Sequence, residues 1–332
     1  MSTSSTARQG LELVDRDESG VDRAFRADVL KGLSQEQKAI PARWLYDDAG
    51  SQLFEDITKL PEYYPTRSET EILQDHGEEF AAAIAPGCAV VEFGSGSSVK
   101  TPLLLSAIAP AAYVPLDISG DFLRASAKQL SAKFPGLPVH PVEADFMRKV
   151  SLPDQVTDLP KLGFFPGSTI GNMVARTSVD LLRTMRDTLG DKAQLLIGMD
   201  LIKDAAVLTA AYDDAAGVTG EFNLNLARRI NRELDATIPV DQLRHVALWN
   251  DDFARIEMHC EALDDIEFTV AGQQFAMAKG DTIHTENSHK FDRRSANTLL
   301  LAGGWTPMQR WTDSQRRFSL ILAEASIVRS AP

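Results

Sequence analysis

Basic residues are in short supply in this chain: 34 Lys and Arg stand against 47 Asp and Glu over 332 residues, a net charge of −13. An extended phosphate-binding surface needs the opposite balance, so nucleic acid is not an expected partner. Cysteine is scarcer still. Cys88 and Cys260 are the only two; neither lies in a C-x-x-C pair, two thiols make no disulfide framework, and both read as buried structural thiols. No apolar run approaches the ~18 residues that a membrane span needs. Residues 1–20 are rich in Ser, Thr and Asp without an apolar core, which reads as a disordered tail rather than a signal peptide or an anchor. The six histidines show no H-x-x-x-H or H-E-x-x-H spacing, and His284 and His289 lie too loosely around Glu286 to suggest a metal site. The expectation is a cytoplasmic, monomeric protein that acts on a small molecule, with no metal, nucleic-acid or membrane partner.

What is present centres on Cys88-Ala89-Val90-Val91-Glu92-Phe93-Gly94-Ser95-Gly96-Ser97-Ser98-Val99-Lys100-Thr101. A valine-rich apolar run ends in two glycines one residue apart, and Pro102-Leu103-Leu104-Leu105 then opens a helix. Gly94 and Gly96 let the backbone approach a nucleotide or nucleoside, and the helix start offers unpaired N–H groups. The next strand, Ala112 to Leu116, ends in Asp117, where an acidic side chain can accept both hydroxyls of a ribose. A dinucleotide fingerprint would need glycine where Val99 stands, which weighs against a nicotinamide oxidoreductase.

Around this unit the pattern alternates strand and helix. A helix over Phe25–Leu33 stopped at Gly32, another from Ser51 to about Leu60, and a T-x-x-E capping box of Thr66 and Glu69 opening a helix from Arg67 to Ala85 precede the first strand. A helix capped by Ser119 follows the second strand. Third, fourth and fifth strands are expected at Pro138–Val142, Leu162–Phe165 and Gln194–Met199, with a helix over Ser178–Leu189 before the last of these. They deliver Glu143-Ala144-Asp145-Phe146 and Pro166-Gly167-Ser168-Thr169-Ile170-Gly171-Asn172. Gly94, Asp117, Asp145 and Asn172 thereby fall at the C-terminal ends of parallel strands, where such sheets bind ligands. The rhythm then changes: Phe222, Leu226, Ile230 and Leu234 give one helix face, and alternating runs at 256–260, 266–270 and 275–277 read as antiparallel strands. Asn297 to Leu301 is helical again, and Thr306–Trp311 and Phe318–Leu322 close the chain as an antiparallel pair.

With these segments laid out, the chain resembles the histidine-specific methyltransferases, the L-histidine Nα-methyltransferases of ergothioneine biosynthesis. The resemblance runs from about Phe25 to the C-terminus. It rests on Asp47-Asp48-Ala49-Gly50-Ser51-Gln52-Leu53-Phe54, Leu60-Pro61-Glu62-Tyr63-Tyr64-Pro65-Thr66-Arg67, the Pro166–Asn172 segment, Tyr212-Asp213-Asp214-Ala215-Ala216-Gly217-Val218-Thr219 and Ile283-His284-Thr285-Glu286-Asn287-Ser288-His289-Lys290-Phe291. It implies an α/β, Rossmann-like class I methyltransferase fold, a doubly wound seven-stranded sheet with a second, inserted α+β substrate domain. Residues 65–200 and 290–332 would bind S-adenosylmethionine, and residues 21–64 and 201–289 the substrate. Gly94, Lys100, Asp117, Asp145 and Phe146 would hold the methyl donor. Tyr63, Asn172 and Tyr212 would hold the amino acid's α-amino and carboxylate groups, Tyr46 would lie close to the amine, and Glu286 and Ser288 would bind the imidazole. The implied reaction is Nα-methylation of free L-histidine, up to three transfers giving N,N,N-trimethyl-L-histidine (hercynine), with Tyr46, Tyr63 or a water chain available to take protons.

Plainer readings stand beside these. Tyr63 and Tyr64 between prolines also fit an aromatic loop packed on the core, Asn172 a turn, Lys100 a solvated helix residue, and Met258 core packing. Glu286 and Ser288, two apart on a strand, share one face, and a solvated face is the default. Another amino acid as substrate, a nicotinamide oxidoreductase and a non-catalytic sensor are the competing functions.

Overall fold

Valine-rich strands ending in glycine or aspartate set the centre of the fold. The computed structural model describes residues 17, 20–96, 100–118 and 120–326. Residues 1–16, 18 and 19 of the expected tail, Ser97-Ser98-Val99 of the glycine turn and the Ser119 cap lie outside the described residues.

The chain begins with α1 (Arg23–Leu33), β1 (Lys38–Ala39), α2 (Asp48–Ile57), α3 (Tyr64–Asp75) and α4 (Gly77–Ala83). Strand and helix then alternate through β2 (Ala89–Phe93), α5 (Thr101–Ile108), β3 (Ala112–Asp117), α6 (Gly120–Lys133), β4 (Val142–Glu143), β5 (Lys161–Phe165), α7 (Ala175–Leu189) and β6 (Gln194–Asp200). After α8 (Ala205–Ala210) and α9 (Val218–Glu233) come β7 (Leu243–Asn250), β8 (Arg255–Ala262), β9 (Ile266–Val270), β10 (Gln273–Met277) and β11 (Thr282–His289). The chain closes with α10 (Arg293–Ala302), β12 (Trp305–Thr312) and β13 (Phe318–Ala325).

The main sheet runs β12-β13-β6-β5-β2-β3-β4, parallel except for β13, which is antiparallel to β6 and to β12. All five residues of β2 are buried, as a parallel strand covered on both faces requires. Ala89, Val91 and Phe93 point to a core with Leu181, Met185 and Trp305. Val90 points to the opposite one with Ile72, Phe80 and Leu104. A four-stranded sheet, β1-β11-β8-β7, lies apart, with β1 parallel to β11 and the other pairs antiparallel. Its apolar cluster joins Phe25, Leu45 and Tyr63 from the start of the chain to Phe222, Leu226, Met258 and Ile283. β9 and β10 form a separate hairpin in which Phe275 faces Phe268.

Several expectations change. The capping box is not formed: α3 starts at Tyr64 with Pro65 in its first turn and no side-chain cap, and Glu69 is fully buried. That helix also breaks at His76, giving α3 and α4 in place of one long helix. The third strand shrinks to Val142–Glu143, with Val139 making only an isolated bridge to Tyr113. β7 was not expected at all. Its residues are half-buried without strict alternation, so the period-two signal was weak.

Gly32 does not stop α1; it lies within the helix. A Cβ there would sit 2.0 Å from the Ala39 backbone oxygen, so glycine is present because β1 passes close. Gly32→Ala should therefore lower stability by about 1–3 kcal/mol in a urea titration, and an unchanged midpoint would show that β1 is free to move away.

Candidate active site

The C-terminal ends of β2, β3 and β5 form one edge of the site. Gly94 (φ +74) and Gly96 (φ +42) turn the chain through left-handed backbone that glycine adopts without strain. The Gly96 N–H donates to the Asp117 carboxylate at 3.1 Å, and the N–H groups of Gly94 and Ser95 donate to the Leu116 carbonyl. A Cβ on Gly94 would lie 3.3 Å from the ring of Phe146, which meets Phe93 and Phe165 edge-on. Asp145 accepts from the N–H of Met147 at 2.9 Å. The Ser95 hydroxyl is buried without a partner among the described residues, the condition of a group waiting for a ligand atom.

Lys100 is not a solvated helix residue. Its ammonium donates to the carboxylate of Glu69, which also accepts from the Gly167 N–H at 2.9 Å. The P-G-S turn after β5 places Ser168 in left-handed backbone (φ +57), and its hydroxyl accepts from the Asp200 N–H at 2.9 Å. Three residues on, Gly171 presses against β11: a Cβ there would be 2.7 Å from the His289 carbonyl oxygen. Asn172 follows, half-buried.

Two aspartates fix two of the tyrosines. Asp47 caps α2 through the Gly50 N–H and accepts from Asn225 of α9, holding Tyr46 just before it. Asp214 accepts from the N–H groups of Val218 and Thr219 at the start of α9, holding Tyr212 two residues earlier. Four of the five tyrosines in the chain belong to this region: Tyr63 meets Tyr212 ring to ring at 6.3 Å and Phe54 at 6.1 Å, and Tyr46 packs on Phe54 and Phe222. Burial holds the hydroxyls of Tyr46, Tyr63 and Tyr212 well above the usual phenol range, and the negative charge of Glu286 raises all three further. Tyr46 nevertheless keeps 38% of its surface open.

Glu286 is 8% exposed and Ser288 3%, so the solvated-face reading fails. The Glu286 carboxylate makes no hydrogen bond with a described residue. Burial raises it to about 7, against a smaller lowering by Lys290. Ser288 shares a 2.7 Å hydrogen bond with the Tyr212 hydroxyl. The Lys290 ammonium donates to both, at 2.8 Å to Ser288 and 2.9 Å to Tyr212, and pairs with Asp200 at 2.8 Å. Asp200 also accepts from Lys203 and Tyr64. Burial would raise Asp200, but Lys290 and Lys203 hold it below the ordinary carboxylate range. Burial lowers Lys203 to about 8. Met258 is core.

Tyr46, Tyr63, Tyr212, Glu286 and Ser288 are thus drawn together, while Gly94, Lys100, Asp117, Asp145 and Phe146 line the strand-end edge with Asn172 between. Sequence reasoning missed Glu69, Tyr64, Asp200, Lys203 and Lys290. A signal existed for Lys290, which continues the period-two series 286, 288, 290. One cluster of possible metal ligands occurs among the described residues, but His284 reaches it with Glu257 and His259 rather than with His289 and Glu286. There Glu257 already accepts from Arg255 and Asn250.

The sheet order, the glycine turn and the acidic end of β3 define a Rossmann-like class I methyltransferase. A family model described as histidine-specific, S-adenosylmethionine-dependent methyltransferase matches residues 25–325, and the chain belongs to that family. A histidine N-alpha-methyltransferase from Mycolicibacterium smegmatis is 40% identical over 310 residues, 90% of this chain and 94% of that protein. The Neurospora crassa ergothioneine biosynthesis protein 1 is 30% identical over 83% of this chain and 32% of its own length. A 4-dimethylallyltryptophan N-methyltransferase from Claviceps purpurea is 25% identical over 91% of this chain and 95% of that protein. Family membership removes the nicotinamide oxidoreductase from consideration.

The raised Glu286 carboxyl has a consequence for stability. The folded protein keeps a proton on Glu286 that the unfolded chain releases from its ordinary value of 4.5, so this contribution is complete below about 4.5 and lost as pH rises through about 7. The stability of the wild type relative to Glu286→Gln should fall by about 2–3 kcal/mol between pH 4.5 and 7, measured by denaturant titration. A flat or rising difference would contradict a protonated, desolvated Glu286.

Proposed function

We propose that this protein transfers methyl groups from S-adenosylmethionine to the α-nitrogen of free L-histidine, up to three times, giving N,N,N-trimethyl-L-histidine (hercynine) in a step of ergothioneine biosynthesis. The family and the names of the mycobacterial and fungal relatives support the reaction. The observation that carries the substrate choice is Glu286, a buried carboxylate without a hydrogen-bond partner among the described residues, two residues from a buried hydroxyl. Burying such a group costs free energy unless a ligand pairs with it. An imidazole has two ring nitrogens, which a carboxylate and a hydroxyl satisfy together, whereas a phenyl ring leaves Glu286 unpaired.

On this reading residues 65–200 and 290–332 form the donor-binding domain, and residues 21–64 and 201–289 the substrate domain. Gly94 admits the methionine part, Asp117 takes the ribose hydroxyls, Asp145 and Phe146 flank the adenine, and Lys100 holds the turn from the Glu69 side. The Ser95 hydroxyl, without a partner among the described residues, and the open space at Gly96 fit such a ligand. When bound, the sulfonium supplies an activated methyl group for in-line displacement. The work left to the protein is alignment and admission of the unprotonated amine.

Tyr63, Asn172 and Tyr212 hold the α-amino and carboxylate groups, with Tyr46 beside the amine. The raised hydroxyls of Tyr46 and Tyr63 keep them as phenols near neutral pH, so they act on the amine by accepting its N–H bonds and orienting the lone pair rather than as phenolate bases. Each released proton then passes to water at the open side of Tyr46. Alignment of this kind needs no metal.

Mass spectrometry of histidine incubated with enzyme and donor should show products heavier by one, two and three methyl groups. Absence of methylated histidine at saturating donor would reject the proposal. Glu286→Ala should lower kcat/KM for histidine roughly 100-fold and spare amino acids that lack a ring N–H; equal losses across an amino-acid panel would remove its role in ring recognition.

A further inference from the structure

We propose that Lys290 is a positioning residue that directs the hydrogen bonds of the Tyr212–Ser288 pair, so that Ser288 faces the substrate ring as an acceptor and selects a ring bearing an N–H. The inference rests on the histidine reading above and deepens it.

The hydrogens can be counted. A lysine ammonium has three donors and no acceptor, and Lys290 has three acceptors in reach: Asp200, Tyr212 and Ser288, at 2.8, 2.9 and 2.8 Å. Its side chain is fully buried, and these three contacts use all of its donors. On the lysine side, both hydroxyls can only accept. They hold two protons between them, and one is spent on their mutual bond at 2.7 Å. The remaining proton must point away from Lys290, toward the side on which the proposed substrate would bind.

Which hydroxyl carries that proton follows from the substrate. An α-carboxylate only accepts, so Tyr212 can hold it only by giving its proton. Ser288 then donates to Tyr212 and turns a lone pair toward the ring. A ring N–H satisfies that lone pair; a bare ring nitrogen repels it. The second ring nitrogen meets Glu286, and the proton between them can sit on either partner. Glu286 at about 7 lies near the ordinary value of ~6.5 for imidazole, which suits that sharing.

Asp200 makes the device dependable. Fixed at the end of β6 by Tyr64 and Lys203, it takes the third lysine proton and anchors the ammonium between the two sheets. A side chain with an acceptor at position 290 would let either hydroxyl donate backwards, and the direction would be lost.

The test compares kcat/KM for histidine and for 3-(thiazol-4-yl)alanine, whose ring nitrogen accepts and carries no hydrogen. Wild type should favour histidine at least about 100-fold, mainly through KM. Lys290→Arg, still donor-only, should keep the preference, while Lys290→Met and Lys290→Gln should reduce it by about tenfold, Glu286 carrying the remainder. S-adenosylmethionine affinity reports whether each variant is folded. If neither Lys290→Met nor Lys290→Gln folds, Ser288→Ala carries the test, because removing the acceptor must lower the same ratio by a similar factor. A wild type without the preference, or folded variants that lose activity on both substrates while keeping the ratio, would overturn the proposal. A wild type that methylates no histidine would instead remove the reading on which it rests.

Discussion

A carboxylate taken out of water must be neutralised where it stands, and Asp200 imposes that requirement at the end of a central strand. Lys203 and Lys290 meet it from two directions. Losing one member of such a buried group leaves an uncompensated charge, a penalty of about 3–5 kcal/mol. The relative placement of β6 and β11 is therefore tied to electrostatics as well as to apolar packing. The connection runs further in both directions. Glu69 joins Lys100 to Gly167, the Ser168 hydroxyl takes the Asp200 N–H, and Lys290 passes from Asp200 to Ser288 and Tyr212. Hydrogen bonds, joined through the covalent Gly167–Ser168 link and through Asp200 itself, run from Lys100 to the hydroxyls of Ser288 and Tyr212.

Small residues appear where this set needs backbones to meet. Gly171 lets the turn after β5 touch β11, and Gly94 leaves room beside Phe146. The motif aspartates act from behind the site. Asp47 and Asp214 fix the starts of α2 and α9 beside Tyr46 and Tyr212, which suits a reaction governed by alignment.

Much of this was legible in the sequence because two periodicities carried it. β2, β3, β5, β6 and β13 announced themselves as apolar runs with clear stops, and α9 as a four-residue repeat. Gly94, Asp117 and Asp145 stood out as candidates because parallel sheets bind ligands at strand ends. The same rule pointed one residue beyond the expected end of the fifth strand, to Asp200, but a charge ending an apolar run reads as the start of a loop. Glu69 was hidden by a local pattern that imitates a capping box; only tertiary contact with Lys100 reveals its use. Glu286 and Ser288 looked like a solvated face because alternation shows which residues share a side, not what covers that side. Lys290 lay on the same series, and its burial is a product of the fold alone.

The most direct measurement is a crystal structure with L-histidine and S-adenosylhomocysteine bound. The expected result has one ring nitrogen about 3 Å from the Glu286 carboxylate and the other about 3 Å from the Ser288 hydroxyl, with the α-nitrogen between Tyr46 and Tyr63 facing the sulfur. A ring bound away from Glu286 and Ser288, or an α-nitrogen turned away from the donor edge, would contradict the central claim that a buried carboxylate and hydroxyl select the imidazole while the tyrosines align the amine.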